Sequence, residues 1–201
     1  MTIYSPYGLR YFDSYTTASA VSEIDIDIND NSPTTTTPFD IVQIAGSLKF
    51  TDETQQTGGA QPIFEFKTND GTAQGVHYAT ARATSTSRLG VYGTTANTTL
   101  KLTNGINVGT YTPAPTAGSN VVEQFNFNML LKLSRSSSAP ISRVNGWFDS
   151  SYQYVDGLSQ LSLGGFYIYN DSNIFTVTIS SLATTVMGDI NVYGFCGDSA
   201  D

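Results

Sequence analysis

Glu23, Asp25 and Asp27 alternate with Ile24, Ile26 and Ile28, and Asn29, Asp30 and Asn31 follow at once. Clustered oxygen ligands of this kind are what a hard cation such as calcium selects. The spacing is not that of an EF-hand loop, because no glycine and no late glutamate stand where that loop needs them. A carboxylate at every second position is also how a solvated strand face reads. A cation at Asp25, Asp27 and Asp30 therefore stays open, and no metal ligand is assigned.

His77 is the only histidine and Cys196 the only cysteine. A hydrolytic triad needs a base beside a nucleophile and an orienting acid. No G-x-S-x-G motif accompanies His77, which follows Gly75 and Val76 and reads as the start of a strand. One His and one Cys cannot close a zinc site. Cys196 has no basic neighbour to activate it and reads as a small buried apolar residue. A glycosidase needs two carboxylates across a cleft. The chain has 17 acidic residues, several in turn-like places such as Asp52, Glu53 and Asp198. The expectation is a protein that is not an enzyme, with no catalytic residue and no cofactor.

The aromatic residues are more informative. Trp147, Tyr152, Tyr154, Tyr167, Tyr169 and Tyr193 gather in the last third. Such side chains stack on sugars, anchor protein interfaces or fill cores. Core packing accounts for part of the group, and the remainder motivates a carbohydrate-binding alternative.

Composition narrows the partners. Hydrophobic residues make up 39% of the 201 and aromatic ones 12%, enough for a sizeable core. Charged residues are only 13%, about half the usual share. Thr, Ser, Asn and Gly replace them, and such groups are cheaper to desolvate at an interface than charges. Net charge is -8, and the nine basic residues are thinly spread from Arg10 to Arg143. That argues against nucleic acid as a partner. No stretch has the length and hydrophobicity of a membrane span, and Met1 to Arg10 does not read as a signal peptide. With one cysteine, no intrachain disulfide can form.

The elements that must position these residues are strands. Period-two alternation recurs along the chain, most clearly where Phe125, Phe127, Met129, Leu131 and Leu133 alternate with Gln124, Asn126, Asn128 and Lys132. Leu130 alone breaks that pattern. Other strands are expected at 39–50, with Gly46 as a bulge or close approach, and at 63–68, ending in the turn Asn69-Asp70-Gly71. Further strands are expected at 78–86, 88–92, 98–102 and 189–195. The segments 166–169 and 174–180, flanking Asn170-Asp171-Ser172-Asn173, read as a hairpin. The long turn-rich stretches Thr51 to Pro62 and Asn104 to Asn120 suit contacts with neighbours. The expected fold class is all-β, an antiparallel β-sandwich, jelly-roll-like. An N-terminal arm, 1–10, precedes a single domain, 11–201.

One resemblance is carried by the C-terminal segment Met187-Gly188-Asp189-Ile190-Asn191-Val192-Tyr193-Gly194-Phe195. It is similar to the "sG-x-I-x-lYGi" ending of tailed-phage virion structural proteins of the tail-fibre, minor structural or decoration type. Ser22 to Ile26, Phe64 to Gly71 ahead of His77-Tyr78, and Phe125 to Leu133 fit the same template. Met187 departs from the small residue usual before the glycine, and Cys196 to Asp201 extend past the ending. The resemblance implies a virion protein made in the host cytoplasm and carried on the outer particle surface. It would act as a capsid decoration, cement or knob protein, or else as a tail-fibre or receptor-binding head; separately, the aromatic residues leave a lectin-like carbohydrate-binding module, with host glycan as its partner, as an alternative. The implied partners are further copies of the chain, as a homotrimer, and capsid or tail proteins.

Overall fold

The structure, a computed structural model, describes residues 9–28, 40–50, 62–68, 71–74, 76–84, 87–97, 122–134, 143–154, 159–169, 174–181 and 185–195. Their ordered elements are eleven strands. These are β1 (Leu9–Val21), β2 (Glu23–Asp27), β3 (Ile41–Phe50), β4 (Pro62–Thr68), β5 (Val76–Thr84), β6 (Ser87–Asn97), β7 (Val122–Ser134), β8 (Arg143–Tyr154), β9 (Ser159–Tyr169), β10 (Ile174–Ser181) and β11 (Val186–Phe195). Eight form one sheet in the order β1-β11-β3-β7-β8-β9-β5-β6, and three form a second in the order β2-β10-β4. Every strand pairing is antiparallel. The all-β antiparallel sandwich expected from the alternation is the fold. It is jelly-roll-like in that the chain crosses repeatedly from one sheet to the other.

Alternation decides what each strand buries. On β2, Ile24 and Ile26 point inward while Glu23 and Asp25 are exposed. On β7 all five expected residues, Phe125, Phe127, Met129, Leu131 and Leu133, are buried. Phe64 and Phe66 of β4 and Val177 and Ile179 of β10 close the core from the small sheet. Two ring contacts cross the layers. Phe64 meets Phe127 edge-on at 5.1 Å between centroids, and Phe66 meets Phe166 at 5.2 Å.

Glycines make room for these rings. Gly46 pairs with Phe127 and Gly146 with Phe166. A Cβ on Gly46 would lie 2.8 Å from the Phe127 ring and 2.9 Å from the Asp189 carbonyl oxygen, so Gly46 marks a close approach. A Cβ on Gly146 would lie 2.0 Å from Phe166 Cζ. Gly188 has φ +149°, a conformation that L side chains rarely adopt. There its N–H donates to Thr17 Oγ1 at 3.0 Å, next to the irregular end of the β1–β11 ladder. The closing strand is internal, between β1 and β3, and buries Ile190, Val192 and Gly194.

Several elements differ from their expected form. The segments 166–169 and 174–180 are not a hairpin, because β9 pairs with β5 and β8 while β10 pairs with β2 and β4 in the other sheet. Both strands bury alternate apolar residues, and a turn-rich link serves a crossing between layers as well as a hairpin. β8 escapes the alternation pattern because Trp147 stands in its otherwise polar outward row, and the first half of β9 escapes it because Leu161 and Leu163 face outward. β1 opens at Leu9, and Leu9 and Arg10, placed in the arm, already pair with Phe195 and Gly194. After β4 the Gly71 N–H donates to the Thr68 carbonyl and Gly71 has φ +81°, while Asn69 and Asp70 of the expected turn lie outside the described residues. The strand at 98–102 and the loop stretches 51–61 and 104–120 lie outside the described residues.

Tyr15 ties the edge of the large sheet to the small one. Its hydroxyl oxygen accepts the Asp27 N–H at 3.2 Å, and its ring packs against the core cluster. Burial pushes its pKa up to about 12, partly opposed by the Asp27 hydrogen bond and aided by the Asp13 and Asp27 charges.

Two outcomes are expected. Phe127→Ala removes a ring that fills the space over Gly46 and should lower unfolding free energy by about 3–5 kcal/mol in urea titration. A loss below about 1 kcal/mol would show that the ring is not part of the core. For Tyr15, the folded value lies above the unfolded value of about 10. Its contribution is complete below that unfolded value and is lost as pH rises from there through about 12. Wild type should therefore lose more stability than Tyr15→Phe over that alkaline range; equal losses would contradict the assignment.

Candidate functional site

Alternation leaves the large sheet with a second face, turned away from the small sheet. The register places its residues in rows across β3, β7, β8 and β9. One row runs Ile41, Lys132, Asn145, Tyr167 and on to His77 of β5. The next runs Gln43, Leu130, Trp147 and Gly165, and the third Ala45, Asn128, Asp149 and Leu163. Ser47, Asn126, Ser151 and Leu161 form the fourth.

Large apolar side chains concentrate here. Among the described residues, the exposed large hydrophobics are Leu130, Trp147, Leu161, Leu163 and Tyr167, at 38–52% of full exposure, and all lie on this face. β9 is inside-out over its first half. Leu161 and Leu163 face solvent, while Ser162 and Gly164 are buried and the Ser162 hydroxyl has no hydrogen-bond partner. Phe166 and Ile168, which must be inside, set the register, and a shift of one residue would expel them.

Polar groups fix the surroundings of the apolar patch. Gln43 Nε2 donates to Asn128 Oδ1 at 2.7 Å, and Asn128 Nδ2 donates to Asp149 Oδ2 at 3.1 Å. This chain of bonds spans three strands and orients the Asp149 carboxylate beside Trp147. On the other side of Trp147, Tyr167 stacks on His77, with centroids 4.7 Å apart and planes 5° apart. An open recess of about 450 Å³ is lined by Arg143, Asn145, Tyr167 and Ile168. Gly165 lies opposite Trp147 and two residues before Tyr167, and among the described residues a Cβ there would meet the Gly146 carbonyl oxygen at an ordinary 3.6 Å. Packing among the described residues does not demand that glycine.

The residues singled out from sequence are spread over the molecule. Trp147 and Tyr167 share the outer face; Tyr193 is half-buried on β11, and the side chains of Tyr152, Tyr154 and Tyr169 fall outside the described part. His77 is the second residue of β5, as a strand-start reading expects. Glu23, Asp25 and Asp27 line the small sheet instead. Thr178 Oγ1 donates to Asp25 Oδ1, and Lys67 Nζ lies 3.8 Å from both Glu23 and Glu65. A lysine and a hydroxyl thus serve these carboxylates. Among the described residues no group of three or more His, Cys, Asp or Glu converges as a metal set, and Asp30 and Cys196 lie outside them. Leu161, Leu163 and Gly165 were not identified from sequence, since alternation alone puts leucines inside. The break at Leu130 was the visible sign of an apolar outer face.

Exhaustive chelation is accordingly expected to leave the melting temperature unchanged. A melting temperature that falls on chelation and recovers with calcium would restore a cation site on the acidic strand.

No family model and no curated protein matches the sequence. Among solved structures, basic winged bean lectin with Tn-antigen is similar over 96% of this chain and 94% of that chain, at 7% identity and a TM-score of 0.22. The fold assignment rests on the sheet topology itself.

Proposed function

We propose that this chain is a non-enzymatic structural protein of a tailed-phage particle, held on the particle exterior as a decoration, cement or knob protein. The observation that carries the reading is the group of exposed large hydrophobic side chains on the outer face of β7, β8 and β9. A sheet backed by a packed core presents Trp147, Tyr167 and three leucines to solvent, and a patch of that kind marks a docking surface. The surface chemistry agrees with it. A chain with 13% charged residues and net charge -8 suits broad contact with other proteins better than contact with packaged nucleic acid. The resemblance of the closing strand to virion proteins supplies the setting, and Gly188, Ile190, Val192 and Gly194 have structural roles in the sheet.

A receptor-binding head that holds host glycan is the second reading. It is favoured by one observation, the recess where Tyr167, backed by His77, stands beside Asn145 and Arg143. Stacking on an aromatic ring with amide and guanidinium groups beside it is the chemistry a sugar uses.

Gradient-purified particles of the source phage decide between the outcomes. The chain should be present in many copies and reachable by externally added antibody on intact particles. Its absence, or labelling only after the shell is opened, would overturn the exterior structural reading.

A further inference from the structure

We propose that the outer face of β7, β8 and β9 docks a second copy of this chain, sheet against sheet, about a two-fold axis lying in the interface and crossing the strands at Trp147. The proposal rests on the reading of the chain as an assembling protein, and it names the partner and the geometry.

β9 carries the first argument. A strand that buries Ser162 without a partner and exposes Leu161 and Leu163 is unfavourable on both faces of an isolated molecule. Covering the outer face removes one of the two penalties. The exposed large hydrophobics present roughly 400–500 Å² of apolar surface. That is about half of the roughly 800 Å² per partner in a standard interface, and the polar rim of the face supplies more.

Charge selects the arrangement. The row on one side of Trp147 holds Lys132, Asn145 and Tyr167, and the row on the other side holds Asn128, Asp149 and Leu163. With the two-fold axis running across the strands, each row faces the other row of the second copy. Asp149 then lies opposite Asn145 with Lys132 next to it, and Leu163 covers Tyr167. With the axis along the strands, each row would face itself, bringing Asp149 onto Asp149. Only the first arrangement is complementary.

Gly165 supplies the fit. It leaves a notch beside Trp147 that packing among the described residues does not require, and a glycine inside a strand often marks the close approach of another chain. The patch extends over Leu161, Leu163 and Leu130 on three strands, farther than one sugar ring can stack. Its aliphatic content matches a protein partner. The contact joins copies in pairs, so a three-fold assembly that uses it holds six copies.

Sedimentation velocity on the full chain tests this. The species should have twice the 21.6 kDa chain mass or an even multiple of it. Gly165→Val fills the notch and Leu163→Asn removes apolar cover; each should weaken pairing at least tenfold, with the circular dichroism spectrum unchanged. Asp149→Lys should weaken pairing similarly, and adding Lys132→Asp should restore it. The charge-swap pair is read even if the glycine variant does not fold. A monomeric wild type, a species of three copies, or pairing indifferent to all these changes would overturn the proposal. So would a monomer whose binding on a glycan array is lost in Trp147→Ser, which gives the face to carbohydrate. A monomer still found on particles would remove only this docking mode, whereas a dimer absent from particles would remove only the virion reading.

Discussion

Phe64 and Phe66, two residues apart on one strand of the small sheet, each press against a phenylalanine of the large sheet. The sandwich depends on that pair of contacts. Phe127 and Phe166 can fill the space between the layers only because Gly46 and Gly146 stand opposite them in the ladder. Large and small residues thereby alternate across neighbouring strands, which lets rings interdigitate at native density. Phe148 paired with Gly164 follows the same rule.

This constraint reaches the other side of the sheet. β9 must bury Phe166 and Ile168, and the strand period of two then sends Leu161 and Leu163 outward whatever their own preference. Inner packing on β9 fixes which of its positions face outward, but not that they are leucines; Leu161 and Leu163, like Leu130 and Trp147, could be polar at no cost to the core. Inner packing and outer chemistry are separate demands that meet on the same three strands. The small sheet shows the ordinary alternative, with carboxylates outside, served by Lys67 and Thr178.

How much of this was legible in the sequence follows from how many faces a strand shows to water. β2 and β7 have one apolar and one polar face, so their inward residues could be named in advance. On β9 Leu161 and Leu163 stand outside while Ser162 and Gly164 are buried, and on β8 Trp147 stands in an outward polar row while Ser150 is buried, so period-two reasoning loses its contrast there. The crossing from β9 to β10 was misread because turn-forming residues specify a change of direction, not the sheet in which the next strand finds its partners. Trp147 and Tyr167 stood out by residue type, but their places on one face, opposite Gly165 and Asn145, need the β8–β9 register, which only tertiary contacts set.

The position of β11 has a kinetic consequence. It lies between β1 and β3, and its last described residue, Phe195, pairs with Leu9, the first. Until β11 is in place, β1 lacks the neighbour it has among the described strands and β3 lacks one of its two. The folding chain must keep those two edges apart until β11 arrives between them. Pairing over so many intervening residues places the closing step among the slow ones. The strand that carries the most recognisable sequence is thus also the one whose arrival ends the period of greatest exposure to wrong partners.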